Sequence, residues 1–350
     1  MKKKSTSKGC CFVVLDVKTS QGSYDITIES GALKCADRYF RLNRKVLIVT
    51  DDGVPAEYSR AVAGCCDSPF IVTLPQGEAS KTLDNFTYLL QQLVEQGFTR
   101  SDCVVAVGGG VIGDLSGFVA SAYMRGIDFY NIPTTVLSQV DSSIGGKTAV
   151  DFMGYKNLVG AFYPPKGVLI DPDTLLTLPP RHVANGMAEV VKMALTFDSD
   201  LFEMLEKLDG IDCVPTEVIY RSLLIKKQVV EEDERESGLR KVLNFGHTLG
   251  HAIESAGGMT DYYHGECVAL GMVPMCSTSV RERLVAVLQR LHLPTVWNGT
   301  AEQLTAAVRH DKKVDGDNIT VVYAPDVGCF EMKTLPFAEY EEWIQEVIGS

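Results

Sequence analysis

The chain has 350 residues, with 45% hydrophobic and 22% charged side chains and 31 glycines, an ordinary globular composition and enough length for two cores. Its 45 acidic and 33 basic residues give a formal charge of −12, which excludes generic binding to nucleic acid or an anionic membrane but leaves room for a local basic cluster around an anionic small molecule. No apolar run reaches the roughly 18–20 residues that span a bilayer. The start, MKKKSTSKGCC, lacks the apolar core of an export signal and reads as a frayed tail. The ten cysteines are scattered without a CxxC pair, which predicts free thiols in a reducing cytoplasm.

Taken in chain order, Lys45-Val46-Leu47-Ile48-Val49-Thr50 is a β-rich run that ends at Asp51-Asp52-Gly53, a strand and then a turn. Residues 82–96 carry apolar side chains at helical spacing, with Gly97 as the stop. Cys103 to Val107 is a second strand of buried type, broken by Gly108-Gly109-Gly110, and a helix is expected from about Val111 to Ala122. Asp128 to Ile132 and Val168 to Ile170 are further strands. Strand alternating with helix implies a parallel sheet with crossovers. After Leu178-Pro179-Pro180 the pattern changes. From Asn185 to about Arg290 apolar residues recur at three and four, as in Val190, Met193, Ala194 and Phe197 and again in Leu223, Ile225, Val229 and Val230. A strand-like piece, Ile319 to Tyr323, stands near the end. The expectation is an α/β domain with a parallel sheet over residues 1–178 and an all-helical domain over 179–350, without a flexible linker or internal repeats.

Gly108, Gly110 and Gly113 form G-x-G-x-x-G after a strand and at the start of a helix, where backbone N–H groups and the helix N-terminus favour a pyrophosphate. By itself the pattern is equally a tight strand-to-helix turn. The acidic turn Asp51-Asp52 is placed to hold a ribose hydroxyl, and Asp114 lies at the same glycine-rich turn. Downstream, Ile132-Pro133-Thr134-Thr135 and the run from Val140 to Thr148 are dense in donors suited to phosphate and hydroxyl groups. GGKT within this run is not a Walker A motif, because Asp141 stands where its first glycine is required.

Only six histidines occur, and His247, His251 and His264 fall close together. His247 and His251 are four apart and face one side of a helix. Two histidines and a carboxylate make a divalent-metal site with room for substrate oxygens. Spacing leaves Glu189, Glu254 and Glu266 open as the carboxylate, and a purely structural role for the histidines remains the competing reading. Arg125, Lys147, Lys156, Lys192, Lys226, Arg240 and the pair Lys312-Lys313 are interleaved with these motifs. Several of them converging on one anion would suit a phosphorylated carboxylic acid.

In this order the motifs resemble the 3-dehydroquinate synthase family. The resemblance is carried by GGGVIGDLSGFVASAYMRG, IPTTVLSQVDSSIGGKTAVD, YKNLVGAFYPP, LPPRHVANGMAEVVK, DERESGLRKVLNFGHTLGHAIE and HGECVALGM, within residues 105–272, with weaker matches at VTDDG, PQGEASKT and HDKK. It implies Glu189, His247 and His264 as ligands of zinc or cobalt. It implies Asp51, Glu78, Lys81, Gly108, Gly109, Gly110, Asp114, Thr134 and Thr135 around NAD, with Lys147 and Asn157 beside cofactor and substrate. Asp141, Lys192, Lys226, Arg240, Asn244, His251 and one of Lys312 or Lys313 would contact substrate. It further implies an N-terminal NAD-binding domain, a C-terminal helical domain, a site in the cleft, a cytoplasmic homodimer, and the shikimate pathway as setting.

The implied substrate is 3-deoxy-D-arabino-heptulosonate 7-phosphate. The reaction is oxidation by NAD, phosphate elimination, re-reduction and aldol ring closure. Sister sugar phosphate cyclases are the nearest alternative, and a guanidinium at Arg240 speaks against their carboxylate-free substrates. A metal-dependent alcohol or glycerol dehydrogenase is the second. A non-catalytic NAD- or metal-binding regulator is the third, and it would be expected to have lost a ligand or the Lys–Arg set.

Overall fold

The structure is a computed structural model that describes residues 12–236, 238–256, 262–309, 314–315 and 317–348. The chain divides into two compact units, Met1–Leu178 and Pro179–Ser350. The first contains β1 (Val13–Thr19), β2 (Gly22–Ile28), β3 (Lys45–Asp51), α1 (Ala56–Ala63), β4 (Ser68–Leu74), α2 (Leu83–Glu95), β5 (Cys103–Gly108), α3 (Gly110–Ala122), β6 (Asp128–Pro133), β7 (Lys147–Phe152), β8 (Tyr155–Phe162) and β9 (Gly167–Ile170). Seven strands form one sheet in the order β1-β2-β9-β6-β5-β3-β4, parallel except for the β1–β2 hairpin.

Alternation along the central strands builds two cores. Leu47 and Val49 of β3 and Val104 and Ala106 of β5 point to one face, against Leu89 and Leu93 of α2 and Ile112, Leu115 and Val119 of α3. Val46 and Ile48, with Cys103, Val105 and Val107, point to the other face, against Val62 of α1. A strand covered on both faces loses its polar alternation, which is why β3 and β5 read as continuous apolar runs. Thr82 caps α2 by accepting the Asn85 N–H at 3.2 Å.

The strand order reverses at β3. From there the chain passes to β4 at the edge and returns to β5 on the opposite side. Val49 pairs with Ala106 and Gly108 with Pro133, so Asp51, Gly108 and Thr134 come out level at the carboxyl ends of three neighbouring strands. That switch point is where open parallel sheets bind ligands.

The second unit contains α4 (Pro180–Phe197), α5 (Ser199–Glu206), α6 (Thr216–Glu232), α7 (His247–Ala256), α8 (His264–Met272), α9 (Thr278–Arg290), α10 (Ala301–Val308) and α11 (Phe337–Ile344). It also carries a small antiparallel sheet of β10 (Val314–Asp315), β11 (Asn318–Tyr323) and β12 (Glu331–Pro336), so helices dominate it without making up all of it. Of that sheet the sequence announces only β11. α4 is buried along most of its length, from Val183 to Thr196, and packs against α5, α6 and α8.

The approach of α8 to its neighbours leaves no room for side chains at two glycines. A Cβ on Gly265 would stand 2.0 Å from the Asn185 carbonyl oxygen on α4, and one on Gly271 would stand 1.9 Å from the Gly246 carbonyl oxygen ahead of α7. Backbones this close fix where the helices start. Among the described residues, no helix is long and apolar enough to cross a membrane.

Gly271→Ala is therefore expected to lower the unfolding free energy by about 1–3 kcal/mol, the usual cost of overpacking. Urea unfolding followed by circular dichroism measures it. An unchanged midpoint would show that α8 and the turn before α7 separate freely.

Candidate metal centre and nucleotide-binding turn

Three side chains from three helices meet in the second unit. Glu189 comes from α4, His247 is the first residue of α7 and His264 the first of α8. Glu189 Oε1 lies 3.7 Å from His247 Nε2 and 3.5 Å from His264 Nε2. Metal bonds of about 2.0–2.2 Å in tetrahedral directions put donor atoms about 3.3–3.6 Å apart, so the spacing suits one divalent ion. Glu189 Oε1 is buried and has no hydrogen-bond partner among the described residues, whereas Oε2 takes the Lys192 ammonium. His247 Nδ1 meets the Phe245 carbonyl at 3.1 Å, which leaves Nε2 with a free lone pair. An orphaned carboxylate oxygen facing two imidazole nitrogens is a donor set that fits zinc or cobalt.

The charges are mutually dependent. Burial works against the Glu189 carboxylate, yet Lys192 first and then His264 and His247 hold it well below its ordinary range. Burial, and then the Lys192 charge, press His247 well below its usual value, so its imidazole is neutral at pH 7. Burial also opposes a proton on His264, but Glu189 and Glu254 outweigh it and push the group up to about 9. In the metal-free protein that proton competes with an ion, as for any imidazole ligand.

Of the three carboxylates left open by spacing, only Glu189 stands between the two histidines. Glu266 instead fastens the start of α8. It accepts two bonds from Arg181, at 2.7 and 2.8 Å, and the Tyr263 N–H at 2.8 Å. Arg181 in turn lies 4.2 Å over the Tyr263 ring. Glu254 faces the other nitrogen of His264, Nδ1, at 3.9 Å.

In the same unit three cations are buried, Lys192 at 2%, Arg240 at 3% and Lys226 at 7% exposure, which is unusual for such groups unless an anion is involved. α6, carrying Lys226, and the 3-10 turn Leu239–Asn244, carrying Arg240 and Asn244, both pack against α4. The Arg240 guanidinium donates to the Glu234 carbonyl at 2.6 Å, and among the described residues no carboxylate pairs with it. Asn244 Nδ2 donates to Glu236 at 2.7 Å, and Glu236 takes a left-handed backbone, φ 63°. His251 is exposed on α7, its ring 5.4 Å from that of His247. Lys312 and Lys313 lie outside the described residues.

The first unit holds a separate cluster at its switch point. Gly109 precedes α3 and Gly110 opens it. A Cβ on Gly108 would come 2.8 Å from Ile112 Cβ, so the turn is tight for packing reasons as well as open for a ligand. The Thr134 N–H bonds the Gly108 carbonyl at 3.0 Å, joining two of the strand ends, and Thr135 Oγ1 meets Ser138 Oγ at 2.8 Å. Lys81 is buried, donates to Asp114 at 2.6 Å and to the Asn157 side-chain amide oxygen Oδ1, and has Glu78 at 3.9 Å. Burial pushes the Asp114 carboxyl up and Lys81 pulls it back, while Asp114 and Glu78 raise Lys81 against its own burial. Asn157, at φ 55°, is set by its N–H to Asp151 at 2.8 Å. The donor-rich stretch is not one loop. It includes a π-helical turn at Ser138–Ser142, with Asp141 inside it, and then β7, which starts at Lys147. A strand rather than a helix after Gly145-Gly146 again excludes a P-loop. Arg125 and Lys156 are exposed.

Sequence comparison is decisive at this point. A model of the 3-dehydroquinate synthase N-terminal region matches residues 71–185, and one of the C-terminal region matches 186–314. The 3-dehydroquinate synthase of Streptococcus suis (strain 05ZYH33) is 42% identical over 354 residues, covering 95% of this chain and 99% of that one. The chain belongs to the 3-dehydroquinate synthase family. Solved structures agree with the family fold. A 2-deoxy-scyllo-inosose synthase complexed with carbaglucose-6-phosphate, NAD+ and Co2+ superposes with a TM-score of 0.87 at 26% identity, over 96% of this chain and all 100% of that one. A 2-epi-5-epi-valiolone synthase from Streptomyces hygroscopicus subsp. jinggangensis 5008, with NAD+ and Zn2+ bound, gives 0.85 at 27% identity, over 94% of this chain and 98% of that one.

Sequence reasoning missed Glu236 behind Asn244, Asn185 against Gly265 and the partner of His264 Nδ1. Only the last left a signal, since Glu254 follows His247 by seven and His251 by three, on the same helical face.

Lys81→Met is expected to destabilise the protein by about 3 kcal/mol, because it leaves the partly buried Asp114 carboxyl without its counter-ion. Adding Asp114→Asn should recover part of that loss in urea unfolding. Additive losses would mean the two groups are not coupled.

Proposed function

We propose that the chain converts 3-deoxy-D-arabino-heptulosonate 7-phosphate to 3-dehydroquinate and phosphate, with NAD at the switch point of the first unit and one zinc or cobalt ion at Glu189, His247 and His264. The observation that carries this reading is the Glu189, His247 and His264 triad with Lys192 on Glu189, together with two further buried cations, Lys226 and Arg240, on segments that pack against α4. A dehydrogenase acting on small alcohols has no use for three such cations, whereas a phosphorylated carboxylic acid needs them. The family relation at 42% identity supports the same substrate.

When bound, NAD takes and returns one hydride, and the divalent ion acidifies substrate hydroxyls. The remaining work falls to the chain. The glycine turn and the N-terminus of α3 seat the pyrophosphate, Asp51 at the end of β3 holds a ribose hydroxyl, and Lys81 with Asp114, Glu78 and Asn157 holds the shape of the turn. Thr134 and Thr135 line the same edge.

Glu189 directs the Lys192 ammonium through their ion pair, and Lys192 and Lys226 offset charge that develops as phosphate leaves. The Arg240 fork receives the substrate carboxylate, and Asn244, held by Glu236, sets its orientation. Asp141, Lys147, His251 and one of Lys312 or Lys313 complete the substrate contacts. Fixing the open-chain product in this frame brings its reacting carbons together for ring closure. The family resemblance supports a cytoplasmic homodimer as the working form.

The purified protein with NAD and zinc is expected to release one phosphate per heptulosonate phosphate consumed, with no lasting absorbance from NADH. Net NADH without phosphate would establish a dehydrogenase instead. Turnover confined to a sugar phosphate without a carboxylate would establish a sister cyclase. Arg240→Lys should raise KM for the substrate more than tenfold at unchanged NAD affinity, because an ammonium cannot make the two-pronged contact. Equal loss of both affinities would contradict the carboxylate role.

A further inference from the structure

His264 is held differently from His247. The His247 ring rests its Nδ1 on a neutral carbonyl, that of Phe245 at 3.1 Å. The His264 ring has a carboxylate on that side instead. Glu254 Oε2 lies 3.9 Å from His264 Nδ1, with the Glu254 side chain only 10% exposed. On the opposite edge of the same ring, Nε2 faces Glu189 Oε1 at 3.5 Å. The imidazole is thus bracketed by two carboxylates, one on each nitrogen.

The placement follows from the helices. His247, His251 and Glu254 stand at i, i+4 and i+7 on α7 and share one face. α8 packs against α7, and its first residue is His264. The start of α8 is fixed independently, by Glu266 and by the Gly265 N–H on Asn185 Oδ1 at 2.6 Å. The ring therefore has little freedom except rotation about its own side-chain bonds, and Glu254 is the carboxylate on its Nδ1 side.

We propose that Glu254 is a positioning residue of the metal centre: its carboxylate holds the proton of the His264 ring on Nδ1 and so presents Nε2, as the stronger of the two imidazole donors, to the ion. A carboxylate behind a ligating imidazole fixes tautomer and orientation and raises the donor's basicity, which a carbonyl does less. Glu254 touches neither the ion nor the substrate in this assignment. The inference rests on the proposed metal site at Glu189, His247 and His264.

The test is zinc affinity, read by competition with a chromophoric chelator on the full chain. Glu254→Gln should weaken zinc binding 10- to 100-fold, the usual size of such an effect, with KM for NAD unchanged and the unfolding temperature of the metal-free protein preserved. Glu254→Ala should lose at least as much. Parent-like zinc affinity in both variants would overturn the proposal. Two ions per parent chain, falling to one in Glu254→Gln, would also overturn it, because Glu254 would then be a ligand of a second ion with His251.

A measurement on the unmodified protein guards against a variant that fails to fold. Long-range proton–nitrogen NMR of the zinc-loaded chain should find the His264 proton on Nδ1, and a proton on Nε2 would refute the assignment. Failure of the underlying site looks different. In that case the parent itself binds no zinc, or His247→Ala binds it as tightly as the parent.

Discussion

Glu189 sits 1% exposed inside the second unit, and a carboxylate taken that far from water stays ionised only if its surroundings supply the charge that water would. Lys192 supplies it at one oxygen, and the other oxygen is left for two imidazoles. Much else in the unit answers to this arrangement. Lys192 is itself buried and would be costly without Glu189. His247 stays neutral because burial, and then the Lys192 charge beside it, oppose its proton, and neutral imidazole is the form that binds a metal. The site thus acts as one electrostatic unit, in which the Glu189 charge depends on the groups around it.

That unit exists only because the helices approach closely. Glu189 is ten residues into α4, whereas both histidines open their helices, so the donors meet only when α7 and α8 start at the flank of α4. Gly265 and Gly271 allow backbone to touch backbone there, and Arg181, Glu266 and Asn185 pin the start of α8. The first unit solves a different problem with similar means. Parallel register brings the ends of β3, β5 and β6 level, and the glycine turn leaves the N-terminus of α3 open at the strand reversal. One constellation is made by helix packing and the other by sheet topology.

Much of this is legible in the sequence, for reasons that can be named. β3 and β5 carry runs of apolar residues because both faces are covered, and α2 and the helices after Pro180 keep their period because each buries a stripe. β4 is not read from the sequence, and β1, β2, β7 and β8 also escape notice. The first pair alternates charged residues with apolar ones at a sheet edge, and β7 and β8 form a hairpin whose second strand is mostly exposed and whose first buries only a short stretch, Thr148 to Val150, so neither pair has a run that separates it from loop. For the site, residue type alone leaves Glu189, Glu254 and Glu266 equivalent. Family resemblance selects the first as the ligand. Only three-dimensional placement separates the other two, one capping α8 and one backing His264. The Asn244–Glu236 contact, with its left-handed residue, is invisible to periodicity because it depends on a turn.

The account stands or falls on whether these three side chains bind the ion. X-ray absorption at the zinc edge of the protein loaded with one equivalent tests this most directly. It should show two imidazole nitrogens and at least one carboxylate oxygen at about 2.0–2.2 Å, with no sulfur neighbour, and the imidazole signal should drop by one in His264→Ala. Sulfur at about 2.3 Å would place the ion on cysteines, and an unchanged spectrum in His264→Ala would place it elsewhere. Either result would contradict the arrangement around Glu189.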